Sequence, residues 1–160
     1  MSKINLVGQK TLLKELDTKI TSGRIAHSYL LSGPTGVGKL SVAIKFAERI
    51  LCSKLNRNEL ETISAQQKIN RLTHPDLHFI YPVNTNSKVK SKATSKHFLK
   101  EWRETVKENP YITLSQWLEK IEVANKKGNI SVNEAEEINK IMSLKSYEGG
   151  YKVMICLLYT

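Results

Sequence analysis

The segment GPTGVGKLS, from Gly33 to Ser41, constrains the fold more than any other part of the sequence. Gly33, Gly38 and Lys39 satisfy the pattern GxxxxGK of a phosphate-binding loop. The next residue of that pattern is Ser or Thr, whose hydroxyl holds Mg²⁺. This chain has Leu40 there, and Leu has no oxygen with which to bind a metal. The sequence therefore predicts a phosphate cradle without its metal ligand.

The flanking segments are those that a phosphate-binding loop requires. The apolar run SYLLS (Ser28–Ser32) predicts a buried strand that enters a tight turn at Gly33 and Pro34, and the Gly- and Pro-free stretch after Lys39 predicts a helix. Glycines let backbone N–H groups approach phosphate oxygens, and the helix adds the positive end of its dipole. A glycine-rich turn with a solvated lysine is the alternative, because GxxxxGK arises by chance in roughly one chain in twenty of this length.

The rest of the chain alternates helices with strands. Apolar spacing predicts a helix over Gln9–Ser22, a polar helix over about 60–72, a strand over Leu77–Tyr81, a short helix around Leu114–Ile121, a helix after a capping box of Ser131 and Glu134, and a fully buried final strand within YKVMICLL. We place Val132, Ala135, Ile138, Ile141 and Met142 on the inner face of the last helix. This alternation predicts an α/β domain with a parallel sheet.

The segment between Asn84 and Lys107 differs in composition from its surroundings. It holds two acids and seven basic residues: Lys88, Lys90, Lys92, Lys96, Lys100, Arg103 and Lys107. We interpret it as an exposed, mobile insertion, with Trp102, Tyr111 and Trp117 forming a small core of their own. Its lysines either contact DNA phosphates or are simply solvated.

Bulk composition limits the class of protein. A chain of 160 residues with 40% hydrophobic residues is about one globular domain, and a net charge of +10 makes contact with a polyanion plausible. The N-terminus lacks the apolar core of a signal peptide, and the longest apolar run is too short to span a bilayer, so we expect a cytoplasmic protein without membrane contact. Cys52 and Cys156 have no CxxC partner and are predicted to be buried thiols. His74 and His78 have no third ligand in the sequence pattern, so no metal site is predicted.

Five segments in order resemble the delta-prime family of bacterial DNA polymerase III clamp-loader subunits, which belongs to the AAA+ superfamily. They are VGQ (Val7–Gln9), RIAHSYLLSGPTGVGK (Arg24–Lys39), ERILC (Glu48–Cys52), HPDLHFIYP (His74–Pro82) and SYEGGYKVMI (Ser146–Ile155). The resemblance covers most of the chain except residues 84–128. It implies a three-layer P-loop fold with a parallel sheet.

The resemblance also implies function. Delta-prime subunits act as the stator of a five-subunit ring that opens the sliding clamp and loads it on primer–template DNA, with delta and gamma or tau subunits as neighbours. ATP or ADP would bind with Mg²⁺ poorly held and with little or no hydrolysis, in what is part of a DNA polymerase holoenzyme. The nucleotide-binding residues would be Gly33, Pro34, Thr35, Gly36, Val37, Gly38, Lys39, Leu40 and Ser41, with Val7, Gly8 and Gln9 on the adenine side; the last three are alternatively an ordinary helix entry.

Several family features are missing from the sequence. No zinc module with four cysteines is present, and the chain reads LLYT where the Walker B acids or their degenerate counterparts are expected. The sensor residues, arginine finger, lid and collar domains are also missing. We therefore expect residues 1–160 to be an N-terminal piece of an AAA+ domain, truncated after its third core strand. Two alternatives stay open: an active ATPase subunit of gamma or tau type, and a small P-loop kinase.

Overall fold

The computed structural model describes residues 8–53, 58–123, 125–148 and 150–158. In these ranges the helices are α1 (Lys10–Thr21), α2 (Lys39–Cys52), α3 (Glu59–Asn70), a 3₁₀ helix (Ser95–Phe98), α4 (Leu99–Glu108), α5 (Leu114–Lys120) and α6 (Val132–Ser143), and the strands are β1 (Leu77–Ile80) and β2 (Val153–Cys156). The predicted helices and the two later strands are thus confirmed to within a few residues. No helix among the described residues is both long and apolar enough to cross a bilayer.

Strands β1 and β2 form a parallel pair. The register joins Leu77 with Val153 and Ile80 with Cys156, and the N–H of Leu157 continues the ladder by donating to the carbonyl of Ile80 at 2.8 Å. Parallel neighbours need a long crossover between them, here supplied by α4, α5 and α6. The mixed helix and strand architecture with a small parallel sheet agrees with the prediction.

The strand predicted at Ser28–Ser32 is not formed. Tyr29 and Leu31 turn inward and pack against apolar residues of α1 and α2, while Leu30 between them is 84% exposed. The segment therefore keeps the two-residue side-chain alternation of a strand. Among the described residues only β1 and β2 form a sheet, and neither strand lies beside this segment in that sheet, so its backbone forms no ladder.

Strand β2 is also less buried than predicted. Its first three residues are half-buried and Cys156 is exposed, so the predictions of a fully buried strand and of a buried Cys156 thiol are wrong. Cys52 is only partly buried as well. The cause is the sheet topology, since β2 has a described neighbour on one side only.

This incomplete sheet predicts low stability for the 160-residue chain by itself. Unpaired strand edges and exposed apolar side chains, such as Leu30 and Leu158, remove much of the burial that stabilises a sheet. We expect a free energy of unfolding below about 5 kcal/mol, the lower end for natural domains. Urea titration followed by circular dichroism measures it; cooperative unfolding well above that value would contradict the prediction.

Helix α2 separates two apolar clusters. One face, with Ile44, Ala47 and Leu51, packs into the central core, and the other, with Val42 and Phe46, packs on α1. An ion pair between Arg49 and Asp17 joins α1 to α2 at the surface. The helix that follows the glycine-rich loop is thus fixed on both sides.

The interpretation of residues 84–107 as an exposed segment is wrong, and so is the prediction that Trp102 and Trp117 belong to a small core of their own. Trp102 and Val106 are completely buried, and they share the central core with Ile44 of α2, Leu77 and Phe79 of β1, and Tyr81, which follows β1. Trp117 also lies in this core, where its Nε1 donates to the carbonyl of Pro82 at 2.8 Å. Helices α4 and α5 thus bury their apolar side chains in this core, whereas the exposed residues of both helices are charged or polar. Composition alone concealed this because the lysines lie between the buried positions.

Helix α6 departs from prediction in two respects. The side chain of Ser131 caps the helix by accepting from the N–H of Glu134 at 3.4 Å, as expected, but the Glu134 carboxylate accepts from the N–H of Ser95 at 2.6 Å. Burial raises the pKa of Glu134, while the bond from Ser95 opposes that shift. The predicted apolar inner face is wrong for Val132 and Met142, which are 78% and 48% exposed. Ala135 is exposed as well.

Candidate phosphate-binding loop

The backbone of the loop adopts the conformations for which glycine is needed. Gly36 and Gly38 have φ angles of 82° and 85°, in the left-handed region that side chains with a Cβ rarely adopt. A Cβ at Gly36 would meet no atom within 4 Å, so backbone conformation and not space explains that glycine. The two residues turn the chain from the Ser28–Ser32 segment into α2.

The loop presents a set of free backbone donors. From Thr35 to Ser41, no N–H group meets an acceptor in the described part of the chain, and the first bonded N–H is that of Val42, which donates to the carbonyl of Gly38 at 2.9 Å. The first N–H groups of any helix lack partners within the helix, and here no side chain caps them. Free donors at the positive end of a 14-residue helix favour an anion, and phosphate is one that such a loop can surround.

Lys39 lies across the mouth of the loop. Its Nζ donates to the carbonyl of Gly33 at 2.6 Å and to that of Pro34 at 2.7 Å, which holds the ammonium group beside the free N–H groups. No carboxylate within the described ranges forms an ion pair with it. Its charge is therefore placed where the β- and γ-phosphates of a bound nucleotide would need a cation.

Leu40 and Ser41 do not supply a metal ligand. Leu40 packs against the central core, and Ser41 is completely buried with no hydrogen-bond partner for its Oγ in the described part of the chain. A step of one residue along a helix rotates the side chain by about 100°, which is why the neighbouring hydroxyl does not replace the missing one. The loop fits a phosphate group and does not fit a directly coordinated Mg²⁺.

The residues predicted on the adenine side are described in part. Nε2 of Gln9 donates to the carbonyl of Val37 at 3.5 Å, which brings the start of α1 next to the loop, and Gly8 precedes it with a φ of 77°. The prediction for Val7 lies outside the described residues. The proximity of Gln9 is compatible with both the adenine-side interpretation and the ordinary helix entry.

A polar network around the buried Asp76 and His74 lies just before β1 and β2, and the sequence analysis did not identify it. Both carboxylate oxygens of Asp76 are used: they accept from the N–H groups of Tyr147 at 2.6 Å and Glu148 at 2.9 Å. Nε2 of His74 lies 3.2 Å from the Glu148 carboxylate, which also pairs with Lys68. Nδ1 of His74 accepts from the N–H of Asp76, so the proton belongs on Nε2. The signal was present in the HPD and SYEGG segments, and its role is to join the starts of β1 and β2.

The other histidine near this network, His78, has a lowered pKa. Burial is the main cause and the charge of Lys152 adds to it, so this imidazole is neutral at pH 7. No group of three or more His, Cys, Asp or Glu side chains within the described ranges is arranged to hold a metal ion.

Sequence comparison assigns the chain to a family. The family described as DNA polymerase III, delta subunit, matches residues 8–157, which is nearly the whole chain and includes the loop, the α4–α5 region and β2. The chain belongs to this family. Residues 84–128, which carry none of the segments quoted above for the resemblance, lie inside the family match.

Individual relatives match shorter parts of the chain. DNA polymerase III subunit delta' of Bacillus subtilis is 32% identical over 74 residues, which is 46% of this chain and 22% of that protein. DNA polymerase III subunit tau of Bacillus subtilis is 40% identical over 48 residues, and the tau subunit of Escherichia coli is 44% identical over 48 residues; each match covers 30% of this chain and 8% of the relative. The matched part is thus under a quarter of each relative's length. No solved structure matches the chain.

Proposed function

We propose that this chain is part of a delta-prime subunit of the DNA polymerase III clamp loader, a cytoplasmic complex that loads the sliding clamp on primed DNA. The single observation that carries the proposal is the family match over residues 8–157, within which Leu40 replaces the metal-binding hydroxyl. A subunit that holds the ring together tolerates this loss, whereas one that hydrolyses ATP does not. Its partners would be the delta and the gamma or tau subunits, with the sliding clamp contacted indirectly.

The proposed domain is an incomplete AAA+ P-loop fold over residues 1–160. The support is the loop that leads directly into α2 and the parallel pair β1–β2. The Ser28–Ser32 segment would be its third strand once a further strand bridges it to β2. Residues 84–128 would be an elaboration of the fold that is packed into its core and not attached to it by a flexible linker.

The proposed ligand of the loop is ATP or ADP. Gly33, Gly36 and Gly38 would give the phosphates access to the free N–H groups, and Lys39 would neutralise part of their charge. The nucleotide supplies a phosphoanhydride that an active site would hydrolyse with the help of Mg²⁺. Because Leu40 offers that ion no oxygen, we propose retention of nucleotide with weak or absent hydrolysis.

An active ATPase subunit of gamma or tau type is the second candidate. Its support is that the tau relatives are 40–44% identical, more than the 32% of the delta' relative, although over a shorter stretch. Leu40 is the observation against it. The two candidates differ in whether this loop contributes to the ATPase rate of the assembled complex.

Reconstitution tests both candidates. The tagged protein is expressed with the other DNA polymerase III subunits of its own organism, and the complex is purified with wild-type or Lys39→Ala loops. We expect co-purification and an ATPase rate, stimulated by clamp and primed DNA, that does not change in the Lys39→Ala complex. Failure to join the complex would refute the clamp-loader role, whereas joining with a reduced ATPase rate would favour the gamma or tau type.

Restoring the hydroxyl tests the explanation for Leu40. We expect Mg²⁺ to change the ATP affinity of the natural chain by less than about twofold. In the Leu40→Thr variant, Mg²⁺ should raise ATP affinity by about tenfold, because one added ligand interaction is worth about 1.4 kcal/mol. Titration calorimetry with and without Mg²⁺ measures this difference. Leu40→Ala loses the same core contact without adding an oxygen, so an equal gain in that variant would contradict the explanation.

A further inference from the structure

Five exposed lysines lie close together in sequence, in a stretch that ends in the first turn of α4. We name this set the lysine ridge; it consists of Lys88, Lys90, Lys92, Lys96 and Lys100. No Asp or Glu occurs between Asn84 and Lys100, so the ridge has no acid within its own segment. It lies outside the phosphate-binding loop, and the proposed function assigns it no role.

The backbone that carries the ridge is fixed by buried side chains. Val89 packs against the central core, and Ala93 and Phe98 are buried in it. Before them, the Oδ1 atom of Asn86 accepts from the N–H groups of Lys88 and Val89 at 2.9 Å and 2.8 Å. The lysines alternate with these anchors, so the fold holds their backbone in place and a ligand would order only the side chains.

Most of the ridge lysines have no counter-charge close to them. They differ in this from four basic residues that are paired elsewhere: Lys45 with Glu48, Arg49 with Asp17, Lys68 with Glu148 and Lys140 with Glu137. On the ridge, Lys88 lies 3.8 Å from Glu122, and both side chains are largely exposed. In the described ranges, the other four lysines have no carboxylate within 4.0 Å. The described residues therefore offset the positive charge of the ridge only in part, at Lys88 through Glu122 and at Lys96 through the more distant Glu137.

We propose that the lysine ridge binds the phosphate backbone of double-stranded DNA directly. The aromatic rings nearest in sequence and in the core, Tyr81, Phe98 and Trp102, are buried, so no exposed ring among them offers a platform for stacking unpaired bases. The contact is electrostatic and independent of base sequence, and it is made by displacing counterions from phosphates. This inference goes beyond the proposed function because it needs neither nucleotide in the loop nor a partner subunit.

The test is the salt dependence of DNA binding by the whole chain. Affinity for a fluorescent 20-base-pair duplex is measured by anisotropy between 20 and 200 mM salt at 10 °C, after near-ultraviolet circular dichroism has verified folding. The logarithm of affinity should fall with the logarithm of salt with a slope of about −0.9 for each phosphate contacted. The ridge variant carries four substitutions to glutamine, at Lys90, Lys92, Lys96 and Lys100. We expect it to lose about tenfold in affinity at low salt and about one unit of slope per lost contact.

Matched controls separate the ridge from net charge and from folding. A variant with the same change in charge carries glutamine at four exposed lysines elsewhere: Lys14, Lys19, Lys120 and Lys145. It should keep most of the affinity and slope, and a Lys→Arg version of the ridge should bind as the natural chain does. Three results would overturn the proposal: no measurable DNA binding, equal losses in the ridge and control variants, or loss of binding in the arginine version. Equal binding of polyglutamate at matched charge would also overturn it, in favour of an acidic protein partner.

Discussion

Trp102→Ala is expected to abolish the cooperative unfolding transition of the chain. Trp102 is completely buried, stacks on Tyr81 with ring centroids 4.2 Å apart and meets Trp117 edge-on at 5.2 Å. Truncation of a buried Trp to Ala costs about 3–5 kcal/mol, which is as large as the whole stability expected here. Urea titration with far-ultraviolet circular dichroism measures the effect.

Trp102→Phe is the matched control. It keeps a ring in the stack and removes an indole N–H that has no acceptor among the described residues, so the lost packing is partly offset by relief of an unsatisfied donor. We expect this variant to retain a cooperative transition. If Trp102→Ala also left the transition unchanged, residues 84–107 would be a separate insertion after all, and the shared core described above would be refuted.

Lys39→Ala is expected to lower the affinity of the loop for ATP or ADP by about 10- to 150-fold. The estimate follows from about 1.5–3 kcal/mol for hydrogen bonds to a charged group, because the ammonium that now bonds to Gly33 and Pro34 would contact phosphate in the bound state. Titration calorimetry without Mg²⁺ measures the loss. The metal is left out so that the defect at Leu40 does not contribute.

Lys19→Ala provides the comparison for Lys39. Lys19 is exposed on the last turn of α1, away from the loop. Its substitution by Ala removes one positive charge, as Lys39→Ala does, without changing the loop. We expect its nucleotide affinity to be within twofold of the natural chain. Equal affinities in all three proteins would mean that the loop is only a glycine-rich turn with a solvated lysine.

The candidate site could be predicted from the sequence because its parts are adjacent along the chain. Gly36, Gly38 and Lys39 act through local backbone geometry and the start of the next helix, both of which depend on neighbouring residues. The same holds for α1, α2 and α3, whose apolar spacing and caps lie within one segment. Leu40 was likewise identified by its position in the pattern alone.

The roles of residues 84–107 could not be predicted in this way. The lysines dominate the composition, whereas Ala93, Phe98 and Trp102 are buried through contacts with β1 and α2 that are distant in sequence. Glu134 shows the same limit: the local pattern predicted a capping box, but the carboxylate bonds to Ser95, 39 residues away. In each case a long-range contact was stronger than the local preference.

The sequence by itself determined the GxxxxGK pattern of the candidate phosphate-binding loop, the helix that follows it, the Leu at the position of the metal-binding hydroxyl and the alternation that gives a parallel sheet. Only the tertiary structure decided that residues 84–107 belong to the central core, that Ser28–Ser32 forms no ladder and that Asp76 joins the starts of β1 and β2. The physical reason is that loop and helix geometry arises from neighbouring residues, whereas burial and strand pairing depend on which distant segments are present to complete them.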